Sequence, residues 1–137
     1  MELPIPDDVR RFLDDHAFAI IATVDADGSP HQAVVWYLVE DDALVVNSAE
    51  GRRWPSNLRR NGRISVVVED GLRWVGLGGC IEVLADRARA QADIAAMARR
   101  NELPEAAEAM IRGQFERQRR VSFRLRPSQI HAELGED

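Results

Sequence analysis

The sequence contains no lysine; all eighteen of its basic residues are arginine. It has one cysteine, Cys80, which excludes an intrachain disulfide and any cysteine-rich zinc site. No apolar run approaches the roughly 20 residues that span a bilayer. The opening stretch MELPIPDDVRRFLDDH lacks a basic segment followed by an apolar one, so it does not read as a signal peptide. A cytoplasmic protein without a membrane partner is expected. Also missing are GxSxG, a P-loop, HExxH and the dinucleotide-binding GxGxxG. His16, His31 and His131 lie far apart at expected element ends, and the acidic pairs Asp7/Asp8, Asp14/Asp15 and Asp41/Asp42 fall at helix or turn positions. Neither a metal site nor an acid/base pair is indicated. A net charge of −5 argues against nucleic acid as a partner.

What is present is a chain of 137 residues, 45% hydrophobic, sufficient for one domain over 1–137. Pro6, Asp7 and Asp8 precede Val9, Phe12 and Leu13 at helical spacing, which predicts a helix over 6–16. Strands are expected at 17–24, 31–39 and 44–47, the first two joined through the Asp27-Gly28 hairpin signal. A short helix over 55–61 precedes a strand at RISVVVED and a glycine-marked one in GLRWVGLGGCIEVLAD. Residues 87–101 and 104–118 read as two helices. In the closing strand Val121, Phe123 and Leu125 alternate with Ser122, Arg124 and Arg126, the pattern of a half-buried strand. Hairpin links without βαβ alternation make this a mainly β (α+β) chain, an antiparallel barrel with peripheral helices. Cys80, inside a strand pattern without cationic neighbours, is expected to be a buried packing residue.

One stretch stands apart. NSAEGRRWPSNLRRNGR, 47–63, holds five arginines and one acid, Glu50. As a helix C-terminus, Arg59, Arg60 and Arg63 need only face water. Arg52 and Arg53 precede the helix. With Ser48 and free N–H groups they have the parts of a phosphate cradle. On these residues alone, cradle and solvated turn are equal readings.

The segments ATVDADGSPHQAVVWY, VVNSAEGRR, NLRRNGRISVVV and VSFRLRPSQIHAEL resemble, in this order, the split β-barrel flavin/deazaflavin oxidoreductases related to pyridoxamine 5′-phosphate oxidase, above all their F420-dependent branch. The resemblance covers most of the chain outside 87–118. It implies a six-stranded antiparallel split barrel that forms a homodimer with two cofactor sites at the subunit interface. The cofactor, F420 or alternatively FMN, would place its phosphate against Ser48, Arg52, Arg53, Trp54 and Asn57. Its ring would pack on the second strand at Gln32, Val34, Val35 and Trp36. No dedicated catalytic residue is implied, because the cofactor carries the hydride chemistry. The implied activity is hydride transfer from reduced F420 to a small organic substrate. The alternatives are an FMN enzyme of the same fold or a non-catalytic carrier of F420, flavin or haem. Where these proteins commonly carry lysine the chain has Trp54, which either stacks on the cofactor or fills part of the pocket, and which favours F420 over FMN.

Overall fold

The structure, a computed structural model, describes residues 1–135. The last two positions of the expected 1–137 unit lie outside the described residues. Helix α1 (Asp7–Asp14) starts after Pro6 with two acids in its first turn and buries Val9, Phe12 and Leu13. Eight strands follow: β1 (Phe18–Val24), β2 (Pro30–Trp36), β3 (Leu38–Glu40), β4 (Ala43–Ala49), β5 (Arg63–Glu69), β6 (Trp74–Leu84), β7 (Arg120–Leu125) and β8 (Gln129–Glu133). Helix α2 (Arg53–Arg60) lies between β4 and β5, and α3 (Arg87–Asn101) and α4 (Pro104–Gly113) between β6 and β7. A single 3-10 turn, Phe115–Arg117, follows α4.

Every strand pairing is antiparallel, and the row runs β2-β1-β5-β6-β7-β4-β3, with β8 added to β6. Its two end strands, β2 and β3, are separated in sequence by one residue, Tyr37. A flat sheet cannot satisfy that connection, so the row curls into a barrel, split where β2 passes β4 without pairing. Tyr37 is fully buried at the seam, and its hydroxyl donates to the Leu13 carbonyl at 2.6 Å.

Six strands were expected and eight are found, because two of the expected strands break. The one over 31–39 leaves the β1 ladder at Tyr37 and joins the β4 ladder as β3. The last one breaks at Arg126-Pro127-Ser128, where proline removes a ladder donor. There the chain crosses closely over Gly79; a Cβ on that glycine would lie 3.2 Å from Leu125 Cδ1 and Ser128 Oγ. Next to it Cys80 is exposed, not buried as expected, because it faces outward opposite Arg63.

Two apolar clusters hold the fold. One fills the barrel and includes Ile21, Tyr37, Leu44, Val46, Trp54, Val66 and Phe123. The other joins the outer face of β4, through Val45, to Ile94, Met97 and Ala98 of α3, Ala107 and Ile111 of α4, and Phe115. Strand β4 is therefore covered on both faces, and all seven of its residues are buried.

Candidate functional site

At the seam a cavity of about 190 Å³ opens between β2, the end of β4, the start of α2 and the α3–α4 unit. Val34, Val35 and Trp36 contribute from β2, and Ser48 and Arg52 from the end of β4 and the turn after it. Those five come from two sequence segments identified separately, and the barrel brings them together. Strand β2 ends the row, so the backbone groups along its free edge have no strand partner among the described residues. Trp54 also lines the cavity, but its ring is 8% exposed and packs on Phe123 at 5.7 Å. It is part of the barrel's apolar cluster as well as of the cavity lining.

Arg53, Asn57 and Gln32 do not line this cavity. Arg53 is bidentate to Asp25 after β1, with Nη2 to Oδ2 at 2.6 Å. Asn57 is buried and donates to Asp25 Oδ1 and Thr23 Oγ1 while accepting from Arg60. Gln32 is exposed on β2, opposite Ala22. The helix-end arginines expected in water are engaged as well. Arg59 donates to Glu50, and Arg60 donates to the Val24 carbonyl.

Arg53 and Asn57 hold the Asp25 carboxyl down to about 2, Arg53 through its hydrogen bonds most strongly. A carboxyl depressed in the folded state stabilises it above the ordinary value near 3.8, and that contribution is lost as pH falls through about 2. Arg53→Ala is therefore expected to return Asp25 toward 3.8 in a side-chain carbon NMR titration, and to move acid unfolding to higher pH. An unmoved titration would mean that Asn57 alone sets it.

Further lining residues lay outside the sequence reading: Asn47, Arg120, Gln114, Phe115, Ile94 and Met97. Arg120 is 6% exposed. Its Nε donates to Asn47 Oδ1 at 2.9 Å and its Nη1 to Gln118 Oε1 at 2.6 Å, and its guanidinium lies 4.9 Å over the Phe115 ring. Burial first, and the neighbouring charge of Arg52 second, push it down to about 10. Its folded-state value is lowered, so the folded protein carries the cost of the charged form at every pH below about 10. Asn47 Nδ2 donates to Ser122 Oγ, which donates to Asp93 Oδ2, and Asp93 accepts from Arg89 at 2.9 Å. The polar face of β7 had the pattern of a solvent face; α3 covers it instead. Asp93 at a buried position of α3 was the available signal, since a buried carboxylate needs polar partners on the facing strand.

Outside the cavity, the outer face of β2, β1 and β5 carries an apolar strip. Val34 stands opposite Ile20, and Ile20 opposite Val67. Val34 is 67% and Phe18 60% exposed, and Trp74 is exposed on β6 nearby. Val34 belongs to both this strip and the cavity mouth.

A split antiparallel barrel is the fold of the proteins similar to pyridoxamine 5′-phosphate oxidase. Residues 5–133 match the family model described as pyridoxamine 5′-phosphate oxidase, and the chain belongs to that family, whose members bind flavin-type cofactors. Among solved structures, a conserved hypothetical protein of Mycobacterium tuberculosis, Rv2991, is similar with a TM-score of 0.80 at 21% identity, over 97% of this chain and 86% of that one. HutZ, the haem storage protein of Vibrio cholerae, is similar with a TM-score of 0.73 at 21% identity, over 97% and 98%. An F420 reductase is similar with a TM-score of 0.70 at 20% identity, over 93% and 98%. At these identities the likeness is one of fold. No curated protein sequence matches the chain. No helix among the described residues is long and apolar enough to cross a membrane.

Proposed function

We propose that the protein binds F420 as a homodimer and transfers hydride from its reduced form to a small organic acceptor. The observation that carries this reading is the convergence of Ser48 and Arg52 with Val34, Val35 and Trp36 on one cavity. The first pair suits a phosphate, and the β2 residues offer an apolar wall beside unpaired edge backbone. The residues fit an anionic cofactor, because among the described residues the cavity is lined by two guanidinium groups and no carboxylate. Reduced F420 supplies the hydride. The chain's own residues would orient the ring against β2, hold the anionic end at Ser48 and Arg52, and exclude water. A second protomer on the strip of Phe18, Ile20, Val34 and Val67 would close the mouth.

FMN is the alternative ligand on the same frame. The likeness to HutZ raises haem as well, but no histidine or cysteine lines the cavity to ligate an iron. Mixing the protein with reduced F420 and a panel of enones and quinones separates enzyme from carrier. Acceptor-dependent reoxidation is expected, and tight binding with no turnover on any acceptor would contradict the catalytic half of the proposal.

A further inference from the structure

Seven arginines of this chain sit on acids: Arg10 on Asp42, Arg53 on Asp25, Arg59 on Glu50, Arg73 on Asp70, Arg89 on Asp93, Arg99 on Glu108 and Arg124 on Glu40 and Glu82. Arg120 is more deeply buried than any of these side chains, yet among the described residues no acid pairs with it. Both groups that grip it are neutral amides, Asn47 and Gln118. The nearest acid in its hydrogen-bonded chain is Asp93, two neutral residues away and held by Arg89. Burying a cation without a counter-charge costs free energy, and most proteins avoid it by pairing. Here the surroundings fix the guanidinium in place and leave its charge unmatched. The next charge along the cavity, Arg52, is also positive.

We propose that Arg120 is the buried anchor of an oxyanion site that takes a phosphate group, with Arg52 at its rim and Ser48 beside it. It supplies from β7 a positive charge inside the cavity, which α2 does not, because the one α2 residue in the lining is the uncharged Trp54. A cavity of about 190 Å³ is smaller than the roughly 300–1,000 Å³ of pockets that enclose whole organic ligands, so it suits one end of a ligand. Two guanidinium groups and a hydroxyl match the acceptors of a tetrahedral dianion better than a planar carboxylate, which one fork satisfies. Asn47 and Gln118 are positioning residues. They orient Arg120 through neutral oxygens, so its charge is kept for the ligand.

This inference deepens the F420 reading, which places the cofactor's anionic end at the same Ser48 and Arg52. The test is titration of the full chain with inorganic phosphate, acetate as comparator, followed by Arg120 Nε–H NMR and by thermal shift. Phosphate is expected to move the Arg120 signal and raise the melting temperature, acetate much less. Gln118→Glu puts a carboxylate where the amide oxygen now meets Nη1, with almost no change of shape. It is expected to weaken phosphate binding roughly 10- to 100-fold while leaving the melting temperature equal or higher. Arg53→Ala is expected to leave the affinity within about twofold, since a paired surface arginine outside the cavity adds little. Arg120→Gln repeats the loss if that variant folds; Gln118→Glu decides if it does not. No response of the wild-type Arg120 signal to phosphate, or wild-type affinity in Gln118→Glu, overturns the proposal. Phosphate binding without F420 binding would sink the cofactor reading alone. F420 binding undiminished in Gln118→Glu would sink the anchor alone.

Discussion

Val34→Asp is expected to leave the chain folded and to abolish both its dimer and its cofactor binding. The side chain is 67% exposed and contributes little to the barrel core, so the protomer loses almost nothing. Its place is what matters. It stands opposite Ile20 in a row that continues to Val67, and it also forms the mouth of the seam cavity. A two-fold interface uses the same patch on both partners, so one substitution enters twice. At about 2 kcal/mol or more for each buried hot-spot position, the dimer weakens roughly 10³-fold. Sedimentation of the variant should give a monomer with unchanged circular dichroism, and F420 should no longer bind. A dimeric Val34→Asp protein would place the interface elsewhere. A monomer that binds F420 with full affinity would show that one protomer completes the site.

The second large effect is expected from Trp54→Lys. The substitution adds a cation where proteins this chain resembles carry lysine, but the structure predicts damage. Trp54 lies on α2 with its ring in the barrel cluster against Phe123. Removing a buried aromatic ring costs about 3–5 kcal/mol. The ammonium that replaces it would sit in the same cavity lining as Arg52 and Arg120, adding like-charge repulsion to desolvation. Domains of this size have about 5–15 kcal/mol in all, so much of the stability goes. Urea unfolding should show a loss of about 4 kcal/mol or more, against about 1–2 kcal/mol for Trp54→Phe, which keeps a ring. A Trp54→Lys protein as stable as wild type, binding phosphate more tightly, would mean that the ring is not part of the core.

Local periodicity carried much of the fold. In β5, the buried Ile64, Val66 and Val68 alternate with Arg63, Ser65, Val67 and Glu69, of which all but the half-buried Val67 are exposed. Asp27-Gly28 forms its turn, with Gly28 at a φ of 88°. The strand breaks at Tyr37 and Pro127 depend on which ladder the chain joins next, and that is a property of the closed sheet. The site was legible in halves. Ser48 and Arg52 had the parts of a phosphate cradle, and only the family resemblance pointed to β2, but nothing local distinguishes Arg52, which lines the cavity, from Arg53, which turns to Asp25. Arg120 was hidden for another reason. Alternation on β7 assigned its face to solvent, and only α3, 19 to 33 positions earlier in the chain, turns that face into an interior.

The central claim, that this barrel holds F420 at its seam, is tested most directly by fluorescence titration of the purified protein with F420, FMN and haem. Saturable binding of F420 at one molecule per chain, tighter than FMN or haem and weakened at least tenfold by Arg52→Ala, is the predicted result. Failure to bind F420, or binding to which Arg52 is indifferent, would contradict it.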